Sequence, residues 1–375
     1  MFKKLSKFLN EYKLVLLIVL LSKLLIFVVF PFIFANVFKV ERAMTLNPID
    51  LWNVWDTPHY LEIAANGYQL SGDASNFIVF LPLFPIIIKI TSLLLQTSSL
   101  FSGYIVSGIS SFILAIYLYK LVLLDYPKKI AILSVLFLFI FPTSIFLHIA
   151  YTESLFLALV ISSFYYLRLK KYFPAFILIS LAGLTKNMIF ALIPALMLEI
   201  WIKERKIYLE KPLYLLSLIL IGLSGFFVYL LLNYYLFGNL LYFVSIEKLH
   251  WYTNFSPMGE GLFQAINSYF WRTGVEKYTL SIVQVISFFI ALAVGIFTFF
   301  KIRKSYGVYM IFSLFLYYSM SFWLSMPRYL VSFFPLFIFL AFSSKYKLLK
   351  YICISISFCL MTAVSLILAG HGPIY

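Results

Sequence analysis

The stretch Trp52-Asn53-Val54-Trp55-Asp56-Thr57-Pro58-His59-Tyr60-Leu61-Glu62, with Gly67-Tyr68 just beyond it, is a polar and aromatic island in a chain that is otherwise mostly hydrocarbon. Asp56 and His59 are three residues apart and Glu62 is three further on, so a helix opened by Pro58 would turn all three to one side. Gly67 would end that helix. A carboxylate and an imidazole flanked by two indoles, beside a membrane, can grip a sugar and take a proton from one of its hydroxyls. The same residues would also make an interfacial aromatic belt over a capped amphipathic helix.

The elements that must hold this stretch are set by composition. The chain of 375 residues is 63% hydrophobic and 11% charged, with a mean hydropathy of +0.99. A soluble domain is only about 45–50% apolar, so this is an all-α polytopic membrane protein. Apolar runs of roughly 20 residues recur, each able to cross a core of about 30 Å as helix, and the alternation of a β-barrel is absent. The net charge of +15 sits in short basic runs between apolar segments, where it orients a membrane protein; it does not point to nucleic acid. Cys353 and Cys359 lie six apart in one apolar run, too far for a disulfide at helical spacing.

A first span at 14–34 follows Lys3, Lys4, Lys7 and Lys13, which places the N-terminus inside. The basic start and long apolar run resemble a signal peptide, but the run is too long and lacks a small-residue cleavage site, so it reads as a retained span. The first external loop, with its juxtamembrane helices, covers 35–100 and a second covers 237–278. The run 77–96 contains Pro82, Pro85 and Lys89, and whether it crosses decides the orientation of everything after it. If it lies in the outer interface, spans fall near 101–122, 130–148, 154–168, 172–185, 188–202, 212–236, 279–300, 306–325, 329–343 and 349–369, about eleven with the first. Then 20 of the 29 lysines and arginines are inside, eight are outside or in the outer half, and Lys23 lies within the first span. A crossing would invert the later clusters, against the positive-inside tendency.

The segment 172–202 is too long for one span and short for two, and Thr185-Lys186-Asn187 stands at its middle. Two short helices meeting there would leave Lys186 near the outer face. An intramembrane lysine is costly unless it meets water or an anion, which makes Lys186 a functional candidate; snorkelling to the interface is the plainer alternative. His148 lies within an apolar run and reads as a packed core residue, and His250 and His371 stand apart from other ligand types. No HExxH or cysteine-rich spacing marks a metal site, and nothing in the spacing supports a divalent cation on Asp56, His59 and Glu153. There is no GxGxxG and no GxxxxGK[ST], hence no soluble nucleotide signature and no implied cofactor. The chain shows no internal repeat and no flexible linker, and 1–375 reads as a single transmembrane domain.

Trp55-Asp56-x-x-His59-Tyr60-Leu-x-Ile-Ala-x-x-Gly67-Tyr68, followed by Phe80-Leu-Pro82-Leu-Phe-Pro85, resembles the first luminal loop of GPI mannosyltransferase II and its prokaryotic relatives. Tyr151-Thr152-Glu153-Ser154-Leu-Phe and Arg328-Tyr329-Leu-x-x-x-Phe-Pro335-Leu-Phe fit the same family, so the likeness runs from about residue 50 to 340. The resemblance implies the GT-C fold of integral-membrane glycosyltransferases, with juxtamembrane helices between the first two spans. It also implies a polyprenyl-phosphate sugar donor, with mannose the sugar that its relatives transfer.

The expected reaction is inverting transfer to a glycan or glycolipid acceptor on the external or luminal side. The membrane would be the plasma membrane of a prokaryote or the endoplasmic reticulum of a eukaryote. An acceptor hydroxyl attacks the anomeric carbon while polyprenyl phosphate leaves, so the site needs a base and cations. Asp56 is the expected base. Lys186 and Arg328, with Lys89 in reserve, would neutralise the departing phosphate. His59, Glu153 and Trp55 would orient the acceptor or the base. Taken without the resemblance, Glu153 could simply be an acid at a helix N-terminus and Arg328 an interface anchor. A multi-pass transporter or lipid flippase would use the same spans and charges, but usually in repeated halves with matching broken helices. A scaffold subunit is the third reading, and it needs neither Asp56 nor Lys186.

Overall fold

The computed structural model describes residues 2–372; the side chains of residues 1–8, among them Lys3, Lys4 and Lys7, lie outside the described residues. The described chain is helical throughout, with no strand beyond an isolated bridge between Phe255 and Met320. Five helices are long and apolar enough to cross a membrane: Leu9–Asn36, Ser99–Leu123, Pro212–Phe237, Tyr278–Ile302 and Lys347–Ala369. Two bent pairs raise the number to seven if each is one span. The protein is thus built as a multi-pass membrane protein.

The remaining helices fall near the expected positions but are short. Lys128–Phe139, Glu153–Arg168, Tyr172–Ala182, Ile189–Lys203 and Lys304–Tyr318 have 12, 16, 11, 15 and 15 residues. A lone helix needs about 17 or more residues to span, so these are not independent crossings. Two expected spans are cut by chain chemistry. The expected helix at 130–148 stops at Phe139, because Pro142 disfavours helical geometry in Phe141, and the chain resumes as a tight turn over Ser144–Leu147. The one at 306–325 stops at Tyr318, and Ser325 adopts a left-handed φ of 67° before Pro327.

Burial sorts centre from periphery. In the Ser99–Leu123 helix 56% of the most apolar stretch is buried, against 28% in Pro212–Phe237 and in Lys347–Ala369, which turn their side chains outward. Glu153–Arg168 is buried along nearly its whole length, between Ser99–Leu123 and Tyr172–Ala182. Pro212–Phe237 closes on Tyr172–Ala182 at a glycine: a Cβ on Gly225 would stand 1.9 Å from the Ser180 carbonyl oxygen, so a larger residue would force the helices apart.

The segment 172–202 forms two short helices, as expected, broken over residues 183–188. Its break is held by the first loop, where the Leu83 N–H donates to the Leu184 carbonyl at 3.0 Å. Within that loop, the expected juxtamembrane run becomes Asp73–Val79 and Leu83–Leu95, bent by 113° and packed on Ser99–Leu123. A turn that sharp suits a segment that enters and leaves on one side. Asp73→Cys and Ser98→Cys, each in a chain with Cys353 and Cys359 replaced by serine, are therefore expected to react with an impermeant thiol reagent from the same side. Labelling from opposite sides would make this run a crossing.

The far end of Glu153–Arg168 carries a charge network whose residues, in the sequence, served only to orient the chain. Arg168 donates two bonds to the Asp125 carboxylate, at 2.6 and 2.7 Å, a bidentate pair. Arg303 Nε donates to Glu199 at 2.8 Å and Ser305 Oγ donates to the same oxygen at 2.7 Å, with Glu199 fully buried. Lys203 donates to the Arg168 carbonyl at 2.6 Å. These contacts tie four helix ends together. At their edge Glu204 accepts from Lys170 and Tyr172, which hold its carboxyl below the usual range.

Candidate functional site

The opening motif folds locally as its residues require. A helix runs Asp56–Asn66 and ends at Gly67, whose φ of 73° is one that glycine adopts without strain. The helix begins at Asp56, two residues before Pro58, so Asp56 occupies the first turn, where an acid faces unpaired N–H groups. Trp55 enters it with φ 53° and ψ −112°, an unfavourable geometry for an L-residue. Its ring lies 5.1 Å from that of His371. The Asp56 N–H donates to the Tyr151 hydroxyl at 3.1 Å, and that hydroxyl donates to the Val54 carbonyl at 3.3 Å.

From there the site closes over long sequence distances. Arg328 donates to Asp56 Oδ2 at 2.7 Å, across 272 positions. Its Nε stands 3.1 Å from Glu153 Oε1, an ion-pair contact without hydrogen-bond alignment. The same Glu153 oxygen accepts from Lys186 Nζ at 2.7 Å. Asp56, Arg328, Glu153 and Lys186 thus form one chain of alternating charge. Glu153 is 0% exposed and Lys186 8%, and Glu153 Oε2 has no partner.

Each member is positioned by a distinct device. Glu153 opens the Glu153–Arg168 helix, so its carboxylate sits at the favourable N-terminal end. Lys186 projects from the break at 183–188, which Thr185 tightens by donating to the Ala182 carbonyl at 2.7 Å. Arg328 lies in the turn Met326–Tyr329, pinned by Met326 N–H to Gln284 Oε1 at 2.7 Å and by Thr143 to the Pro327 carbonyl at 3.1 Å. Aromatic rings screen the cations. The Arg328 guanidinium is 5.4 Å from the Tyr151 ring and 5.6 Å from Phe146, and Lys186 is 5.4 Å from Tyr329.

Other expected residues fall elsewhere. His59 is stacked on Phe77 and Phe80 at 4.3 and 5.1 Å and makes no hydrogen bond to Asp56. Burial lowers its pKa below the ordinary imidazole value, with the Asp56 charge opposing, so it is neutral at neutral pH. Glu62 accepts from Asn66 at 2.7 Å; the shared face of Asp56, His59 and Glu62 is divided among three partners. Lys89 is exposed and donates to the Ala65 carbonyl at 2.9 Å, a helix-end contact outside the charge chain. Among the described residues no three His, Cys, Asp or Glu side chains gather as a metal site. The second loop does reach the first: Asn76 lies 3.4 Å from His250, and the Trp251 ring is 5.8 Å from Phe80.

That second loop also brings in Glu247, which the sequence offered no reason to prefer over its neighbours. It lies half-buried on the helix Tyr242–His250, within range of Asp56 and Tyr329. Burial first, and the Asp56 carboxylate second, push its pKa up to about 7. The ordinary value is 4.5, so between pH 4.5 and about 7 the folded chain holds a proton that the unfolded chain has lost. Stability must then fall as pH rises through that window. Unfolding in detergent at a series of pH values is expected to show this slope in the wild type and a flatter one in Glu247→Gln; equal slopes would remove Glu247 from the site.

The arrangement can hold an anion between two cations and a proton acceptor beside it, with an open carboxylate oxygen and a readily titrated carboxyl in reach. No family model, curated protein or solved structure matches the chain.

Proposed function

We propose that this protein is an inverting membrane glycosyltransferase. It would move a sugar, mannose by the resemblance, from a polyprenyl-phosphate carrier to a glycan or glycolipid acceptor. The observation that carries the reading is the meeting of Asp56, Glu153, Lys186 and Arg328, drawn from three separate motif blocks into one charge chain. Such a site supplies what the reaction needs. Lys186 and Arg328 offer charge to a phosphate, which must compete with Glu153 and Asp56 for them. Release of Asp56 from Arg328 would then leave its carboxylate to take the acceptor proton. The unpaired Glu153 Oε2 is a ready acceptor for a second hydroxyl of the sugar.

On this reading the chain has the GT-C fold, with about eleven crossings in which short helices pair to span. Its site lies on the external or luminal face, where nucleotide sugars are scarce and lipid-linked donors are the natural source. The reaction requires no cofactor, and its products belong to glycolipid biosynthesis. A transporter or lipid flippase is the competing reading, favoured by the broken helix at Lys186. The deciding experiment gives purified protein polyprenyl-phosphate mannose, then polyprenyl-phosphate glucose, with a glycolipid acceptor and follows free polyprenyl phosphate. Release coupled to a new glycoside supports the transferase. Movement of intact donor across a vesicle wall, with no release, would replace it with the flippase.

A further inference from the structure

A second polar site lies deep in the bundle, at the middle of the Leu9–Asn36 span. Lys23 stands there, and its ammonium rests on Ser99–Leu123 at a glycine: Nζ is 3.6 Å from where a Cβ of Gly108 would be. Among the described residues no carboxylate pairs with Lys23. The charge that bears on His148 is that of Lys23. His148 is 0% exposed, and neither of its ring nitrogens has a partner. A buried imidazole with both nitrogens idle is not explained by packing on Phe139, whose ring is 5.6 Å away. Two residues after Lys23 the helix widens into a π-helical turn, Leu25–Val29, a local irregularity that often accompanies a binding site.

We propose that Lys23 and His148 bind the phosphate of an acidic lipid that enters between the first span and the Ser99–Leu123 helix. An unpaired cation in hydrocarbon calls for an anion, and the absence of a nearby carboxylate leaves that place to a ligand. Lys23 supplies the charge and His148 an N–H donor, together matching two phosphate oxygens. The approach selects a lipid over a soluble anion, since Leu20, Leu24 and Ile109 at its mouth are 55%, 50% and 58% exposed and face hydrocarbon. The site is separate from the Asp56 chain. Ser111 donates to the Leu147 carbonyl at 2.6 Å and Ser107 to the Tyr151 carbonyl at 3.3 Å, fixing the segment that divides the two. The proposal therefore stands whether or not the protein transfers sugar.

The test is thermal unfolding of the full-length protein in neutral detergent with dioleoyl phosphatidic acid, dioleoyl phosphatidylcholine or inorganic phosphate added. Phosphatidic acid is expected to raise Tm in a saturable way, while the other two leave it unchanged. Lys23→Gln should weaken the apparent affinity by about tenfold or more, whereas Lys304→Gln, at an exposed inner position, should not. Gly108→Leu keeps both polar residues and fills the crevice; it should abolish the shift, and it serves if Lys23→Gln does not fold. A shift of equal size with phosphatidylcholine, or with inorganic phosphate alone, would overturn the lipid-phosphate assignment in the wild type. Unchanged affinity in Lys23→Gln or Gly108→Leu would overturn the site.

Discussion

Asp56→Asn is expected to leave a folded protein that transfers sugar about 10²–10⁴ times more slowly, the usual loss for a general base. That range corresponds to about 2.7–5.5 kcal/mol in the barrier. The amide keeps the shape and can still meet Arg328, which retains Glu153 as a counter-charge, so the fold should survive. Donor binding should survive as well, because the phosphate would be held by Lys186 and Arg328; the loss then belongs to turnover more than to apparent affinity. Asp56→Glu should recover little, since one more methylene displaces the carboxylate by about 1 Å. Single-turnover transfer from a labelled lipid-linked sugar, with melts to match folding, measures all of this. If Asp56→Asn transfers at nearly the wild-type rate, the base lies elsewhere, and Glu247 and Glu153 are the carboxyls to examine.

The second large effect is on stability. Glu153 is wholly buried between two cations, and Glu153→Ala would leave Lys186, 8% exposed, with its ion-pair partner gone. Breaking a buried pair from one side costs about 3–5 kcal/mol, because the remaining charge stays in a poor solvent. The expected result is a marked fall in the melting temperature of purified Glu153→Ala. Removing the cation as well, in Glu153→Gln with Lys186→Met, should restore part of the loss, since the stranded charge is then absent. A melt of Glu153→Ala at the wild-type temperature would mean that water reaches Lys186 freely.

Much of this arrangement was legible in the chain. Helix ends at Gly67, the break around Lys186, and the positions of most apolar helices follow from glycine, proline and hydropathy, which act over a few residues. Asp56, Glu153, Lys186 and Arg328 were also singled out, as charges in unlikely places. What local spacing cannot carry is partnership. His59 sits one helical turn from Asp56, yet packs on Phe77 and Phe80, because Arg328 reaches the carboxylate from 272 positions away. Lys89 was read as a free cation in the outer interface, and it is held by a helix-end carbonyl. Glu247 looked like any loop acid, since its raised pKa arises from a burial that only the folded second loop creates. Arg168 and Arg303 carried an orientation signal in the sequence that was correct in kind but silent about Asp125 and Glu199.

The long closure between Asp56 and Arg328 bears on how the chain is made. The 272 residues between them take roughly 14–54 s to synthesise at about 5–20 residues per second. Throughout that interval the nascent chain holds Asp56 and Glu153 without the guanidinium that will join them, and Lys186 arrives before Arg328 does. The short helices between can enter the bilayer only in company, since each is below spanning length. Biogenesis must therefore keep a half-built charge chain shielded, and a ribosome stalled before residue 328 would leave an acidic site open to any passing cation or insertion factor.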